Sequence, residues 1–205
     1  MMKGDMKNRM KEGLAYQAGD GELVADRLAA RKVVHAFSGS SPEEEEKRKD
    51  LLKRLLHRES EIPFIEPPFR CDYGYHIRMG KNFYANFNLV ILDVAPVTFG
   101  DHVFIGPNVG IYTAGHPLDA DLRNAEWEHG DAIVVGNNVW IGGHVVICPG
   151  VTIGDNTVIG AGAVVTKSLP ENVVAAGNPC KVIREISAED RAQYIAQRFP
   201  DGEIG

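Results

Sequence analysis

The chain has 205 residues, which fits one domain with a substantial core. Its formal net charge of −6 argues against a nucleic-acid or anionic-membrane partner, because both require a basic face. No apolar run approaches the roughly 20 residues that span a bilayer, and the first residues lack the apolar core of a signal peptide, so we expect a cytosolic protein.

The first segment, residues 1 to about 60, is charged and helical in pattern. Its apolar residues follow helical spacing, as at Leu51, Leu52, Leu55 and Leu56. Ser41-Pro42-Glu43-Glu44 has the pattern of an N-cap, a first-turn proline and a capping-box glutamate, which predicts a helix starting there. The proline-rich run IPFIEPPFR then predicts the end of the N-terminal helical segment 1–60.

A six-residue repeat dominates the chain from about residue 77 onward. Between Met79 and Val165, apart from residues 113–132, every sixth residue is apolar and is a candidate to point inward, with one insertion of two residues between Ile91 and Phe99. These positions are Met79, Ala85, Ile91, Phe99, Ile105, Ile111, Val135, Ile141, Ile147, Ile153, Ile159 and Val165. This period matches neither a helix nor a hairpin. It predicts a β-solenoid over residues 61–186, in which three hexads close a triangular coil and glycines and asparagines occupy the turns.

The repeat disappears between Thr113 and Ala132. Because Ile111 and Val135 are a whole number of hexads apart, this stretch is either a degenerate coil or a loop. We favour a loop over about 113–132, since solenoids carry function in such loops. Beyond the coil, SAEDRAQYIAQRF predicts a helix capped at Ser187 within residues 187–205, which would cover the open end of the coil.

His116 is the first candidate for chemistry, because it lies in this loop between Gly115 and Pro117. An imidazole that titrates near neutrality can take a hydroxyl proton without a metal, although the same placement suits an ordinary surface histidine. Glu126 and Glu128 share the loop, either as carboxylate partners of an imidazole or as solvated charges.

A zinc site is the competing interpretation of the histidines. His102, His116, His129 and His144 all lie in the repeat region, but no HxxxH pair occurs among them. Cys71, Cys148 and Cys180 are widely spread without a CxxC pair, so neither a thiolate metal site nor a disulfide framework is predicted and no metal is expected.

Other polar residues have two interpretations each. Asn86 and Asp93 lie where the repeat changes and either cap turns or serve a site. Lys167 and Arg184 flank the end of the coil and either hold phosphates or are surface charges.

The assembled motifs resemble those of the maltose and galactoside O-acetyltransferases of the hexapeptide-repeat superfamily. VGNNVWIGGHVVICPGVTIGDN carries the superfamily pattern, whereas CDYGY, FYANFN and the GHP loop are similar to the sugar-acetylating branch. The resemblance implies a left-handed parallel β-helix with the N-terminal helical segment and a C-terminal capping helix. It also implies a homotrimer with active sites between subunits, acetyl-CoA as co-substrate and a sugar as acceptor.

Residue roles follow from the same resemblance. His116 matches the catalytic histidine, Glu128 a carboxylate that orients it or the acceptor, and Asn86 an acceptor-site asparagine reaching across the interface. Asp72 and Asp93 match the acceptor side. The coenzyme groove matches Trp140, Gly143, Ala161, Thr166, Lys167, Lys181 and Arg184.

Two positions depart from the family pattern. Gly143 stands where galactoside-type relatives have serine, which leaves only a backbone N–H for the thioester oxyanion. Their acceptor-binding aspartate aligns near Ala18, with Asp20 close by as its candidate replacement.

The expected reaction is direct acetyl transfer from acetyl-CoA to a hydroxyl of a sugar such as maltose or glucose, with His116 as general base. One alternative keeps the reaction but changes the acceptor to an antibiotic, an amino sugar or a lipo-oligosaccharide. The others are a zinc hydratase on the same solenoid and a scaffold without catalysis.

Overall fold

The computed structural model describes residues 5–200. The helices are α1 (Met6–Lys11), α2 (Gly21–Ser38), α3 (Glu45–Leu55), α4 (Ala120–Asn124) and α5 (Ala188–Arg198). The strands are β1 (Tyr16–Gln17), β2 (Phe64–Ile65), β3 (Phe69–Cys71), β4 (Ile77–Arg78), β5 (Tyr84–Ala85), β6 (Leu89–Leu92), β7 (Val97–Phe99), β8 (Phe104–Ile105), β9 (Gly110–Tyr112), β10 (Ala114–Gly115), β11 (Trp127–Gly130), β12 (Ile133–Val135), β13 (Trp140–Ile141), β14 (Val146–Ile147), β15 (Thr152–Ile153), β16 (Val158–Ile159), β17 (Val164–Val165), β18 (Val173–Ala176) and β19 (Lys181–Glu185).

The strands wind into a left-handed parallel β-helix, an exception to the usual right-handed crossover. Its three faces are a seven-stranded sheet (β19-β18-β16-β13-β8-β5-β2), a five-stranded sheet (β17-β14-β9-β6-β3) and a four-stranded sheet (β15-β12-β7-β4). In the regular coils, partners are 18 residues apart, as in Trp140 with Val158 and Val146 with Val164. Three hexads therefore make one coil, which confirms the predicted solenoid.

The inward positions of the repeat form the core. All twelve aliphatic and aromatic positions predicted from the period are at most 2% exposed. Asn138 and Asn156 turn the chain at φ of +56° and +52°, in the left-handed region that asparagine tolerates best after glycine. The repeat therefore encodes both the core and the corners.

The corner between the five-stranded and four-stranded sheets, which we call the loop corner, departs from this regularity. Upstream partners are 20 residues apart, as in Leu89 with Phe69, and the two extra residues fall in turns 72–76 and 93–96. One coil later the same corner carries residues 113–132, and Gly110 pairs with Val146 across a gap of 36. These residues form β10, α4 and β11 outside the coil, which confirms a loop rather than a degenerate coil.

The N-terminal helices cover one end of the coil. Helix α2 packs on α3 and on β3, and Phe37, Leu52 and Leu55 belong to the same core as the strands. Helix α3 begins at Glu45, later than predicted. The Glu44 side chain accepts from the Ser41 N–H at 2.8 Å, so the predicted capping contact forms in the turn before the helix.

Helix α5 forms where the sequence predicts it, with a capping box between Ser187 and Asp190. Within Ala188–Arg198 no side chain is buried, so in one subunit this helix does not cover the end of the coil as expected. Instead, β19 pairs antiparallel with β18 and protects that edge. Across residues 5–200, no helix is both long and apolar enough to cross a membrane.

Candidate active site

The loop that carries His116 is held by a small antiparallel sheet of its own. Strand β10 pairs with β11, with Gly115 opposite His129. A Cβ on Gly115 would lie 2.6 Å from His129 Nε2, so glycine lets the His129 ring lie directly against the backbone of β10. On the other side of β11, β1 from the N-terminal segment pairs Tyr16 with Glu128. His116 directly follows β10 and is presented by a braced turn.

His116 and Glu128 face each other across this turn. His116 Nε2 lies 3.9 Å from Glu128 Oε2, and His116 Nδ1 lies 3.4 Å from the carbonyl oxygen of Trp127. The side chain of His116 is 56% exposed, whereas that of Glu128 is 14% exposed. The other carboxylate oxygen, Oε1, accepts from the Tyr16 hydroxyl at 2.5 Å. The arrangement pairs an accessible imidazole with a held carboxylate.

A cavity of about 390 Å³ opens beside this pair. Its lining joins the loop to the start of the N-terminal segment: Ala18, Gly19, Arg27, His116, Arg123, Glu126 and Glu128. Arg27 donates to the Tyr73 hydroxyl and to the Ala18 carbonyl, each at 2.6 Å, which fixes α2 to this wall. The sequence did not single out Tyr16, Arg27 or Arg123, because their partners are distant along the chain or are backbone atoms.

Asp72 is half-buried, and its carboxyl interacts with the charges of Arg27 and Glu128, which both line the cavity. Burial raises the pKa of the Asp72 carboxyl, while the nearby guanidinium groups of Arg27 and Arg31 act in the opposite direction. The structure therefore leaves Asp72 as a candidate for the acceptor side.

Asp93, predicted on the acceptor side, is hydrogen-bonded to the turn that carries Asp72. Its side chain is fully buried, and its carboxylate accepts backbone N–H groups from Asp72, Tyr73 and Gly74 at 2.9, 2.9 and 2.6 Å. Burial raises the pKa of Asp93 to about 7, and the three N–H donors oppose that rise. Asp93 anchors the turn that carries Asp72.

Asp20, predicted near the acceptor, caps α2. Its side chain accepts the Glu22 N–H at 3.0 Å, and the neighbouring Ala18 and Gly19 line the cavity. A short acidic side chain before a helix is a preferred N-cap, and the contact of Asp20 with the acceptor stays a prediction.

Asn86 lies away from His116 in the subunit. It follows β5 at the corner between the seven-stranded and five-stranded sheets, and its Oδ1 accepts from the Phe87 N–H at 2.7 Å. Asn86, Gly106, Gly142 and Gly160 occupy successive coils of this corner, which we call the small-residue corner. None of the hydrogen bonds of Asn86 within residues 5–200 reaches the His116 loop.

The candidate coenzyme residues are spread over three parts of the coil. Gly143 and Ala161 lie at the small-residue corner, and a Cβ on Gly142 would lie 2.6 Å from the Ala161 nitrogen, so successive coils approach closely at Gly142. Trp140 is 58% exposed on the seven-stranded sheet, and Lys181 is exposed on β19 of that sheet. Thr166 and Lys167 are exposed at the loop corner.

Arg184 departs from the expectation of a free phosphate ligand. Its Nη2 and Nη1 donate to the two carboxylate oxygens of Asp190 at 2.6 and 2.8 Å. A bound phosphate would have to use the remaining N–H groups of Arg184 or displace Asp190. As for metals, the described part of the chain, 5–200, gathers no three His, Cys, Asp or Glu side chains into a possible ligand set.

Two family models match this chain. Residues 132–167 match the family described as bacterial transferase hexapeptide (six repeats), and residues 9–58 match the maltose acetyltransferase hexapeptide capping motif. The second match spans α2 and α3, the helices that cover the end of the coil. The chain is thus a hexapeptide-repeat transferase with an N-terminal cap.

Individual relatives narrow this class. Galactoside O-acetyltransferase of Escherichia coli (strain K12) is 48% identical over 194 residues, which cover 95% of this chain and 96% of that protein. A maltose O-acetyltransferase structure from Clostridium difficile 630 matches with a TM-score of 0.87 at 48% identity, covering 90% of this chain and 99% of that one. The structure of a galactoside acetyltransferase in complex with coenzyme A matches with a TM-score of 0.86 at 48% identity. The match covers 91% of this chain and 93% of that one. The chain belongs to the maltose and galactoside O-acetyltransferase family, and it is an acetyl-CoA-dependent O-acetyltransferase of that type.

Proposed function

We propose that this protein transfers the acetyl group of acetyl-CoA to a hydroxyl of a sugar such as maltose or glucose, with His116 as general base. The observation that carries the proposal is the exposed His116 imidazole facing the Glu128 carboxylate at the cavity of about 390 Å³. The cavity lining offers two carboxylates and two guanidinium groups, which suit a ligand that presents many hydroxyls.

The contact of His116 with Trp127 favours one nitrogen as the base. A carbonyl oxygen can only accept, so the contact at 3.4 Å favours the tautomer with the proton on Nδ1 and the lone pair on Nε2. Nε2 is too far from Glu128, at 3.9 Å, for a hydrogen bond. It therefore stays free to take the sugar hydroxyl proton, and the Glu128 carboxylate stabilises the imidazolium that results.

The remaining steps belong to the coenzyme side. Bound acetyl-CoA supplies a thioester carbonyl and a thiolate leaving group. The Gly143 N–H, which donates to no acceptor within residues 5–200, is the group we assign to the developing oxyanion. Protonated His116 returns its proton to the departing sulfur. Trp140, Ala161, Thr166, Lys167, Lys181 and Arg184 are the side chains that we propose hold the coenzyme.

The arrangement of the two corners supports a homotrimer. His116 lies at the loop corner, whereas Asn86 and Gly143 lie at the small-residue corner of the same subunit. A neighbouring subunit in a closed ring can bring its small-residue corner against this loop, and one site then forms at each interface. Asn86 of the neighbour would bind the acceptor hydroxyl there. From the sequence, we predict that the protein is located in the cytosol.

The test is a thiol-release assay with acetyl-CoA over a panel of maltose, glucose, thiogalactosides and hydroxylated antibiotics. We expect release with a sugar, and a loss of about 10²- to 10⁴-fold in rate for His116→Ala. Thiol release with the antibiotics but with none of the sugars would show that the acceptor is not a sugar. Undiminished transfer by His116→Ala, or stoichiometric zinc lost with that substitution, would remove the assignment of His116 as base.

A further inference from the structure

Tyr16 connects the N-terminal segment to the pair of residues proposed to carry the chemistry. It belongs to β1, a strand of two residues whose partner is β11 of the loop. Its side chain is fully buried, and its hydroxyl donates to Glu128 Oε1 at 2.5 Å. The two residues are 112 positions apart in the chain.

The ring of Tyr16 lies in a small apolar cluster separate from the core of the coil. The cluster contains Met10, Leu23, Tyr73 and Val94. Burial and the Glu128 carboxylate both raise the pKa of the Tyr16 hydroxyl, so that hydroxyl keeps its proton and acts as a donor. A phenylalanine would fill the same space, whereas a buried hydroxyl costs free energy unless it is bonded.

The two carboxylate oxygens of Glu128 therefore have separate partners. Oε1 is held by Tyr16, and Oε2 faces His116 Nε2. A glutamate side chain has several rotatable bonds, and one fixed oxygen restricts where the other can lie. The position of the charge opposite His116 is thus set from the N-terminal segment.

We propose that Tyr16 is a positioning residue for acetyl transfer, which holds the Glu128 carboxylate in place opposite His116. This inference rests on the proposed roles of His116 and Glu128. It assigns the N-terminal segment a part in the reaction besides covering the coil: β1 supplies one strand of the sheet that braces the loop, and Tyr16 supplies the hydrogen bond.

The substitution Tyr16→Phe tests the proposal, because it removes the hydroxyl and keeps the ring in its cluster. We expect kcat to fall about 10- to 100-fold, the usual range for one hydrogen bond to a charged group, with KM for acetyl-CoA within about two-fold of wild type. Thermal unfolding of each variant checks that the fold is retained.

A double-mutant cycle with Glu128→Gln separates positioning from packing. If Tyr16 acts through Glu128, Tyr16→Phe lowers kcat in the wild type and has little further effect in the Glu128→Gln background. Tyr75→Phe is the matched control. Tyr75 packs against the same cluster, but its hydroxyl donates to Asp26 at 3.1 Å, so its effect should be the same in both backgrounds.

Two results would overturn the inference while leaving the proposed function intact: a wild-type kcat for Tyr16→Phe, or an equal loss in both backgrounds. A Glu128→Gln variant with full activity would instead remove the proposed role of Glu128, and the role of Tyr16 with it. The measurements thus distinguish failure of the inference from failure of its premise.

Discussion

Single residues at the loop corner show which contacts the sequence could reveal. The sequence placed His116 and Glu128 together in the loop that breaks the repeat, and the family resemblance supplied the roles proposed for them. The contact of Tyr16 with Glu128 was not predictable, because the two residues lie 112 positions apart in the chain. The hydrogen bonds of Asp93 were not predictable either, because its partners are backbone N–H groups, which leave no pattern of side chains in the sequence.

Asp93 provides a test of stability at this scale. We predict that Asp93→Asn lowers the free energy of unfolding by about 2 to 4 kcal/mol, because an amide cannot replace a buried carboxylate that accepts three N–H groups. Urea unfolding measures the change. Asp50→Asn, on the exposed face of α3, is the control and should change stability by less than about 0.5 kcal/mol. Equal effects of the two substitutions would contradict the anchoring role.

His76 gives the same turn a pH dependence. Its Nδ1 contacts the Asp93 carbonyl at 2.8 Å, and burial lowers the pKa of His76 below its usual value of 6.5. Below pH 6.5 the unfolded chain binds a proton at His76 that the folded chain does not bind. The contribution of neutral His76 to the free energy of unfolding therefore decreases as pH falls. We predict that the stability advantage of wild type over His76→Asn shrinks from about pH 7 to about pH 5. Urea midpoints over that range measure it, and a constant difference would contradict the prediction.

Whole elements were predicted most reliably where a period defines them. A hexad specifies which residue points inward, so the coil, its core and the position of the loop were evident from the sequence. The internal structure of the loop was not, because β10, β11 and β1 pair through backbone groups. Helix α3 begins at Glu45 rather than directly after Ser41 as predicted, because the residues from Ser41 to Glu44 form a separate turn.

Helix α5 was predicted in position but not in packing. Arg184 lowers the pKa of Asp190 to about 2. The ion pair is therefore intact at every pH above the ordinary pKa range of a carboxyl group, and it is lost only as the pH falls toward 2. We predict that Asp190→Asn speeds amide hydrogen exchange across Ala188–Arg198 and leaves the exchange of the coil unchanged. Glu189→Gln, in the same helical turn, should have less effect. Slow exchange in both variants would show that another contact holds the helix.

The molecule as a whole places its candidate residues on separate edges. The sequence supplied the candidates, and resemblance to the family supplied the expectation of a trimer. Sequence alone could not show that His116 lies at one corner of the coil and Asn86 at another, because this depends on which sheet each strand joins. The fold thus divides the proposed site between two edges, which a ring of subunits would reunite.

Subunit mixing tests this central claim directly. His116→Ala and Asn86→Ala chains are produced separately and then together, and thiol release from acetyl-CoA with the best acceptor is measured for each preparation. Each variant alone should be nearly inactive. In an equal, random mixture about a quarter of the interfaces pair an intact His116 with an intact Asn86 of the neighbour, so about a quarter of the wild-type activity should return. A mixture as inactive as the separate variants would contradict a site shared between subunits.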